Sequence, residues 1–445
     1  MLLPLTSSDL TKNIQEQTIY VDISVQRELF NAGIISRITY QNGGGLNNSN
    51  ILTSSTAGGV AINDPKSPPI TTTTQASINA TITQLKARYS KVVAVAAVVL
   101  PTWVNGGVVT TLAGSGAGIP SNGAFADGTG VAASFNIPTG VAVLPDGNTV
   151  VADQNNNRIR LVTPLGVVTT LAGSASAAFA DGMGAAASFN GPSGVAVLSD
   201  GNIVVADTNN HCIRVITYPG GVVTTLAGSG SPGFADGTGA GASFNFPFGV
   251  AVITSSGVIV VSDSSNHRIR LVTYPGAVVT TLAGSGGTTF ANGTGVGATF
   301  YIPRGIAVLS DGNIVVADYG NNRIRLITYP GAVVTTLAGN SAYSPFADGT
   351  GAAATFFQPH GVAVIPSTYQ NSGNIVVADY QNNRIRLITY PGAVVTTLAG
   401  NTAHGSTNGT GAAATFRSPQ GITVNSSTGA IVVADTSNHL IRLIT

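Results

Sequence analysis

The sequence contains few charged residues, and it confines some kinds of charge to one part of the chain. Charged residues make up 8% of the 445 residues, against about a quarter in ordinary soluble proteins. All four lysines and both glutamates lie within residues 1–105. The 12 arginines and 13 aspartates that follow nearly cancel, so no basic surface large enough to predict nucleic-acid binding remains.

Cysteine and long apolar runs are also scarce. Cys212 is the single cysteine, which excludes an internal disulfide framework. The first residues lack a basic flank, and their apolar core is too short for a secretory signal. The apolar stretch 92–100 is too short for a membrane-spanning helix. We therefore expect neither a signal peptide nor membrane insertion; the localisation stays open, with a virion or an extracellular assembly among the options.

A sixfold repeat dominates the rest of the sequence. The phrase Val-Thr-Thr-Leu-Ala-Gly ends at Gly114, Gly173, Gly228, Gly284, Gly339 and Gly400. Within one repeat, β-branched runs at 194–198 and 203–206 flank an Asp-Gly turn, and two further runs at 213–217 and 222–226 flank a second turn. Each repeat therefore predicts a four-stranded antiparallel meander.

Four strands in each of six repeats are typical of a six-bladed β-propeller. The repeat region opens with a lone fourth strand at 108–112 and the sequence stops after a third strand, so we expect the first strand to complete the last blade. The predicted fold is all-β, with the propeller at residues 106–445 and a small mixed segment at residues 1–105. That segment includes a flexible part rich in Asn, Ser, Thr and Gly, and we interpret it as an assembly or attachment module.

Three motifs connect the repeat to a known family. They are Gly-Asn-Ile-Val-Val-Ala-Asp-Thr-Asn-Asn-His-Cys-Ile-Arg at 201–214, Phe-Ala-Asp-Gly at 234–237 and Pro-Phe-Gly-Val-Ala-Val at 247–252. Together they resemble the NHL repeat, and the resemblance covers residues 106–445. It implies a six-bladed propeller, in a family with protein-binding, RNA-binding and enzymatic members.

One aspartate and one arginine recur in every repeat. The aspartate ends a Val-Ala-Asp or Val-Ser-Asp motif, and the arginine ends the Ile-Arg dipeptide that follows. These twelve residues, the predicted structural ladder, are Asp153, Asp207, Asp263, Asp318, Asp379, Asp435, Arg160, Arg214, Arg270, Arg325, Arg386 and Arg442. Because they are identical in all six repeats, and because buried charges are tolerated when they are paired, we predict a structural role.

The repeats differ most just before the first strand of each blade, in an X-Pro-X-Gly motif. Both X positions change in character from blade to blade, and they should lie at the mouth of the propeller channel. They are therefore candidates for ligand contacts, with drift of unselected loop sequence as the alternative. The candidate ligand-binding residues are Phe246, Phe248, Ile302, Arg304, Gln358, His360 and Gln420.

Metal and catalytic sites have little support in the sequence. One turn position holds a histidine or an asparagine, namely His211, His267, His439, Asn157, Asn322 and Asn383. That exchange indicates a turn role, and side chains on separate blades would not converge as zinc requires. Each Phe-Ala-Asp-Gly loop offers one carboxylate, too few for a strong calcium site, although weak calcium binding stays open. We predict no catalytic residue, no metal and no cofactor.

The leading hypothesis is a non-enzymatic structural or binding propeller. Residues 1–105 would hold it on a larger assembly, such as a virion, fibre or surface layer, through a protein partner or self-assembly. The variable face would contact a protein or glycan ligand. One alternative is an NHL-like metal-dependent lyase or a propeller hydrolase, although the propeller lacks Glu and Lys, two common catalytic groups. The other is an intracellular protein-interaction scaffold.

The attachment hypothesis makes a prediction about solution mass. We expect the full chain to form oligomers and a fragment of residues 106–445 to stay monomeric, because residues 1–105 carry the assembly contacts. Light scattering of both proteins at equal concentration measures the masses. Two monomers would contradict self-assembly through residues 1–105.

Overall fold

The computed structural model describes residues 19–22, 49–52, 106–116, 124–341, 346–367, 369 and 372–445. The chain divides into two compact units, Met1–Val99 and Leu100–Thr445. In the first unit, Ile19–Asp22 pairs antiparallel with Ser49–Leu52. Ser49–Leu52 lies within residues 42–80, the part rich in Asn, Ser, Thr and Gly that composition predicts to be flexible. The remaining predictions for residues 1–105 lie outside the described residues.

The second unit is a six-bladed β-propeller, as the repeat predicts. Blade 1 contains Pro138–Val143, Thr149–Asp153, Arg158–Val162 and Val167–Ala172, from the channel outwards. Blade 2 contains Pro192–Val197, Ile203–Asp207, Cys212–Ile216 and Val222–Ala227. Blade 3 contains Pro247–Ile253, Val258–Asp263, Arg268–Val272 and Val278–Ala283.

The remaining blades follow the same order. Blade 4 contains Pro303–Val308, Ile314–Asp318, Arg323–Ile327 and Val333–Ala338. Blade 5 contains Pro359–Val364, Ile375–Asp379, Arg384–Ile388 and Val394–Ala399. Blade 6 contains Ile422–Val424, Ile431–Asp435, Leu440–Ile444 and, as its fourth strand, Val108–Ala113.

Each blade also has a fifth strand that the four-run pattern does not predict. These two-residue strands pair with the fourth strand and are Gly128–Thr129, Gly182–Met183, Gly237–Thr238, Gly293–Thr294, Gly349–Thr350 and Gly409–Thr410. Short 3-10 helices follow the fifth strands, at Gly130–Ala132, Gly184–Ala186, Gly239–Gly241, Gly295–Gly297, Gly351–Ala353 and Gly411–Ala413. A second set follows the second strands, at Gln154–Asn156, Thr208–Asn210, Ser264–Asn266, Tyr319–Asn321, Tyr380–Asn382 and Thr436–Asn438.

The apolar core lies between neighbouring blades. The second strand of each blade is buried along almost its whole length, because both of its faces pack against an adjacent blade. Each cluster of buried side chains joins two consecutive blades; for example, Ile159 of blade 1 packs in one cluster with Phe189 and Val205 of blade 2. Strands buried on both faces read as nearly continuous Val and Ile runs rather than as an alternation.

The ring closes through blade 6. Val108–Ala113 pairs antiparallel with Leu440–Ile444, and Val109 lies opposite Ile444. The N–H of Val108 donates to the carbonyl of Thr445 at 2.9 Å, and the N–H of Thr445 donates back at 3.0 Å. The prediction that the first strand of the repeat region completes the last blade is therefore confirmed.

Six glycines form the inner ring of the propeller, where the innermost strands approach one another. They are the last residues of the X-Pro-X-Gly motifs: Gly140, Gly194, Gly249, Gly305, Gly361 and Gly421. A Cβ on any of these glycines would overlap a backbone carbonyl of the next blade, that of the second X residue of its motif. For Gly421 in blade 6, this is the carbonyl of Thr139 in blade 1. Only a residue without a Cβ permits this backbone approach.

The glycine ring predicts a specific sensitivity to a single methyl group. We expect Gly421→Ala to lower the free energy of unfolding by about 3 kcal/mol, because the new Cβ forces blades 6 and 1 apart. Gly241→Ala is the control: its Cβ would meet nothing within 4 Å, and four other blades have alanine at that position. Urea denaturation measures both variants, and equal stabilities would contradict the prediction.

Candidate functional site

The ladder residues form a buried ion pair in each blade. All six aspartates and all six arginines are completely buried. In each blade Nη1 of the arginine lies 2.6–2.8 Å from Oδ2 of the aspartate. The pairing connects the end of the second strand to the middle of the third.

The aspartate also organises the turn around it. In blade 1, Oδ1 of Asp153 accepts the backbone N–H of Asn136 at 2.7 Å, and Oδ2 accepts Nδ2 of Asn156 at 2.9 Å. Burial raises the pKa of Asp153, whereas Arg160 and the hydrogen bonds lower it. Blade 6 has the same arrangement, and burial raises the pKa of Asp435 to about 6.

The arginine reaches outwards to the fifth strand. In blade 1, Nη2 of Arg160 donates to Asp127 at 2.7 Å and to the carbonyl of Ala126 at 2.8 Å. Asp127 also accepts the side-chain hydroxyl of Thr170 in the fourth strand at 3.2 Å. The Phe-Ala-Asp-Gly loop is therefore hydrogen-bonded to the third and fourth strands at the outer edge of the blade. We propose that the ladder is structural.

Histidine and asparagine perform the same task at one turn position. Each has left-handed backbone geometry, with φ between 52° and 57°. Its side chain accepts the backbone N–H of the first X residue of the next blade: the acceptor is Nδ1 in His211, His267 and His439, and Oδ1 in Asn157, Asn322 and Asn383. The distances are 2.8–3.2 Å, and the six bonds run from blade to blade around the ring.

The two X positions of the motif have different environments. The first X residue also has left-handed geometry in every blade, with φ between 50° and 59°. The second X residue is the second residue of the innermost strand in blades 1–5, and in blade 6 it lies two residues before that strand. Those that line the central cavity of about 330 Å³ are Thr139, Ser193, Phe248, His360 and Gln420.

Five side chains of blades 3–5 meet at this channel mouth, and we call them the aromatic–arginine cluster. They are Phe248, Arg304, Tyr319, His360 and Tyr380. The guanidinium carbon of Arg304 lies 4.2 Å from the ring centroid of Phe248 and 5.2 Å from that of Tyr319. The ring of His360 lies 4.9 Å from Phe248, 5.9 Å from Tyr319 and 5.7 Å from Tyr380.

The cluster carries one positive charge on Arg304. Burial lowers the pKa of Arg304, but an arginine stays protonated in proteins. Burial, and then the Arg304 charge, hold the pKa of His360 well below its usual value, so its imidazole is neutral near pH 7. Burial likewise raises the pKa of Tyr319, against the effect of Arg304.

The other candidate residues lie around this cluster rather than in it. Gln358 accepts the hydroxyl of Tyr319 at 2.9 Å. Phe246 is 42% exposed and contacts the ring of His211, at 4.8 Å between centroids. Ile302 is half-buried, and its N–H donates to His267. Gln420 is half-buried in the cavity wall.

Tyr319 and Tyr380 were not among the residues predicted from the sequence. Both follow the ladder aspartate, at a position that holds Gln154, Thr208, Ser264 and Thr436 in the other blades. In blades 2, 3 and 6 the hydroxyl there donates to the proline carbonyl of the next blade, at 2.8, 2.5 and 2.7 Å. The change from a small hydroxyl residue to tyrosine in two adjacent repeats was the signal available in the sequence.

No group of three or more His, Cys, Asp or Glu side chains that could hold a metal ion occurs in the described part of the chain. The three turn histidines illustrate the reason. Each belongs to a different blade, and its Nδ1 is already the acceptor of a backbone N–H.

The NHL repeat family model matches residues 135–160, 189–216, 244–270, 300–325 and 416–442. These segments span the ladder aspartate and arginine of blades 1, 2, 3, 4 and 6. The chain is an NHL-repeat protein. Its blade 5 has the same strands and ladder, but the turn between its first two strands, 365–374, is the longest of the six.

Two longer proteins are similar in sequence to this NHL-repeat protein. It is 30% identical over 288 residues to Protein SUPPRESSOR OF QUENCHING 1, chloroplastic, of Arabidopsis thaliana, which covers 62% of this chain and 27% of that protein. It is 28% identical to NHL repeat-containing protein 2 of Homo sapiens, over 66% of this chain and 44% of that protein. The chain thus matches less than half the length of either relative.

Solved structures with the same fold are more distant in sequence. A crystal structure of an auxiliary nutrient binding protein from Bacteroides thetaiotaomicron superposes with a TM-score of 0.58, at 16% identity, over 76% of each chain. That similarity shows the fold alone. Within the described residues of this NHL-repeat protein, the structure contains no helix that is both long and apolar enough to span a membrane.

The turn histidines predict a pH dependence of stability. Burial lowers the pKa values of His211, His267 and His439, so the folded chain takes up protons less readily than the unfolded chain. Their contribution is present above about pH 6.5 and is lost as the pH falls through the folded pKa values. We expect His211→Asn, His267→Asn and His439→Asn together to reduce the stability lost between pH 7.5 and 5.5 by about 1 kcal/mol.

Asparagine is the matched replacement because three other blades use it for the same bond. The raised pKa values of the ladder aspartates have the opposite effect on stability as the pH falls below about 6. These aspartates are the same in the wild type and in the triple variant, so they do not affect the comparison. Urea denaturation at each pH gives the two profiles. Parallel profiles for the two proteins would contradict the role of the histidines.

Proposed function

We propose that this NHL-repeat protein is a non-enzymatic binding propeller that holds a protein or glycan ligand at the channel mouth of blades 3–5. The observation that carries the proposal is the asymmetry of the ring. The ladder, the glycine ring and the blade-to-blade bonds repeat in all six blades, whereas large aromatic side chains and an arginine gather in one sector of the mouth.

The composition of the mouth supports binding by a preformed surface. Ligand sites combine aromatic walls with a few polar groups that fix orientation, and this sector offers Arg304, Gln358 and two tyrosines beside Phe248. Phe248 is 8% exposed and His360 is 6% exposed, so packing holds their rings in place. The residues that line the cavity include no carboxylate, and no pair of acid and base groups meets there.

We further propose that residues 1–105 attach the propeller to a larger assembly, such as a virion, fibre or surface layer. The charge distribution supports this division of labour, because every lysine and both glutamates lie in that segment. The chain divides into two compact units, Met1–Val99 and Leu100–Thr445, and the propeller belongs to the second. The solution masses described above test this part of the proposal.

The binding proposal predicts that the two tyrosines carry affinity. We expect Tyr319→Thr with Tyr380→Thr to weaken ligand binding at least tenfold, since truncating an aromatic anchor at an interface centre costs more than about 1 kcal/mol. Threonine occupies this position in blades 2 and 6. The labelled full chain and its variants are applied to a glycan array and a peptide array, and signal intensity over a concentration series gives the affinities.

Gln154→Thr is the control, because it introduces the same residue at the same position in blade 1, on another sector. We expect it to leave binding unchanged. Thermal unfolding verifies that all variants are folded. Equal binding by the tyrosine variant, equal loss in the control, or no bound member on either array would contradict the proposal.

A further inference from the structure

Arg304 differs from the arginines that build the blades. The six ladder arginines pair with aspartates, and four others, Arg158, Arg268, Arg323 and Arg384, donate to backbone carbonyls two residues earlier. Among the arginines of the described residues, Arg304 and Arg417 are the two whose guanidinium groups donate no hydrogen bond. Of these two, only Arg304 has a buried Nε and lies over aromatic rings.

The position of Arg304 leaves its donors directed away from the rings. A guanidinium that stacks on an aromatic ring uses its face, whereas its N–H groups lie at its edge. Nε is buried, but Nη1 and Nη2 are not among the buried unpaired atoms of the described residues. These two nitrogens can therefore receive an acceptor from a ligand, and within the described residues no aspartate forms an ion pair with Arg304.

A planar carboxylate matches such a guanidinium, because two parallel N–H to oxygen bonds form between them. The partial burial of Arg304 strengthens that attraction relative to an exposed ion pair. Beside the guanidinium, the cluster offers two half-buried tyrosines. Gln358 accepts the hydroxyl of one of them. A ligand at this place meets hydroxyl and amide groups next to ring surfaces.

We propose that Arg304 binds the carboxylate of an acidic saccharide, whose sugar ring rests against Tyr319 and Tyr380. The inference rests on the proposed function and specifies the ligand class of the same site. A saccharide is favoured over an acidic peptide because Phe248, the one ring of the cluster without a polar atom, is over nine-tenths buried, as is His360. The cluster therefore presents polar edges rather than a pocket for an apolar side chain.

The test compares acidic saccharides with their neutral methyl esters. Trigalacturonate, a glucuronate disaccharide and sialyllactose, each with its ester, are titrated into the full chain by calorimetry. We expect at least one acid to bind and its ester to bind at least tenfold more weakly. Arg304→Gln, which introduces the residue that blade 6 has at this position, should weaken binding of the acid about tenfold to a hundredfold and leave the ester unaffected.

Two further variants separate the guanidinium from charge in general. Arg304→Lys keeps the charge but loses the two parallel donors, so we expect an affinity between those of the wild type and Arg304→Gln. Arg323→Leu removes one positive charge elsewhere, and blade 6 has Leu440 at that position, so binding should not change. Thermal unfolding should show only a small loss of stability in Arg304→Gln, because the contacts of the guanidinium with Phe248 and Tyr319 are lost but no ion pair within the described residues is broken.

Several outcomes would overturn the inference. They are equal binding of acid and ester, unchanged affinity in Arg304→Gln, binding of none of the acids, and binding of an Asp-rich peptide in place of all three saccharides. If acid and ester bind alike and the tyrosine variant abolishes both, the proposed binding function stands and the role of Arg304 fails. If the tyrosine substitutions change the binding of no saccharide and of no array member, the proposed binding function and the role of Arg304 both fail.

Discussion

The buried aspartate–arginine pair of each blade is the interaction on which the rest of the propeller depends. In blade 1 the pair of Asp153 and Arg160 joins the second strand, the third strand, the turn between them and the loop from the preceding blade. Removing either partner leaves an uncompensated charge in the core, which costs about 3–5 kcal/mol. The same pair, with an asparagine that donates to the aspartate, occurs in all six blades.

The closed ring depends on backbone contacts as well as on the core. The turn histidines and asparagines fix the first X residue of the next blade, and the glycine ring lets the innermost strands approach closely. These contacts use main-chain atoms of the X-Pro-X-Gly motif. The side chains at the X positions are thereby held in place, yet their chemistry is unconstrained by the framework.

The side chains at the second X position differ in chemistry between the two sides of the channel mouth. Blade 2 places Ser193 at the second X position, where its hydroxyl donates to a backbone carbonyl, whereas blades 3 to 5 place Phe248, Arg304 and His360. Arg304 then gains aromatic neighbours from its own blade and from those on either side, and its charge helps to keep His360 neutral. A rigid sixfold scaffold thus supports one chemically distinct sector, which is the basis of the proposed binding function.

The sequence by itself determined the architecture, because its six repeats, hairpin turns and Val-rich runs are local signals that follow chain order. It also determined that Phe248, Arg304 and His360 stand out against the repeat. Only the tertiary structure decided that these three meet Tyr319 and Tyr380, since contacts between blades join residues about 55 positions apart at a shared axis. The fifth strands were missed for a related reason: two-residue strands carry no periodicity, and in blades 1–5 their partners lie some 40 residues further along the chain, while in blade 6 the partner is Val108–Ala113.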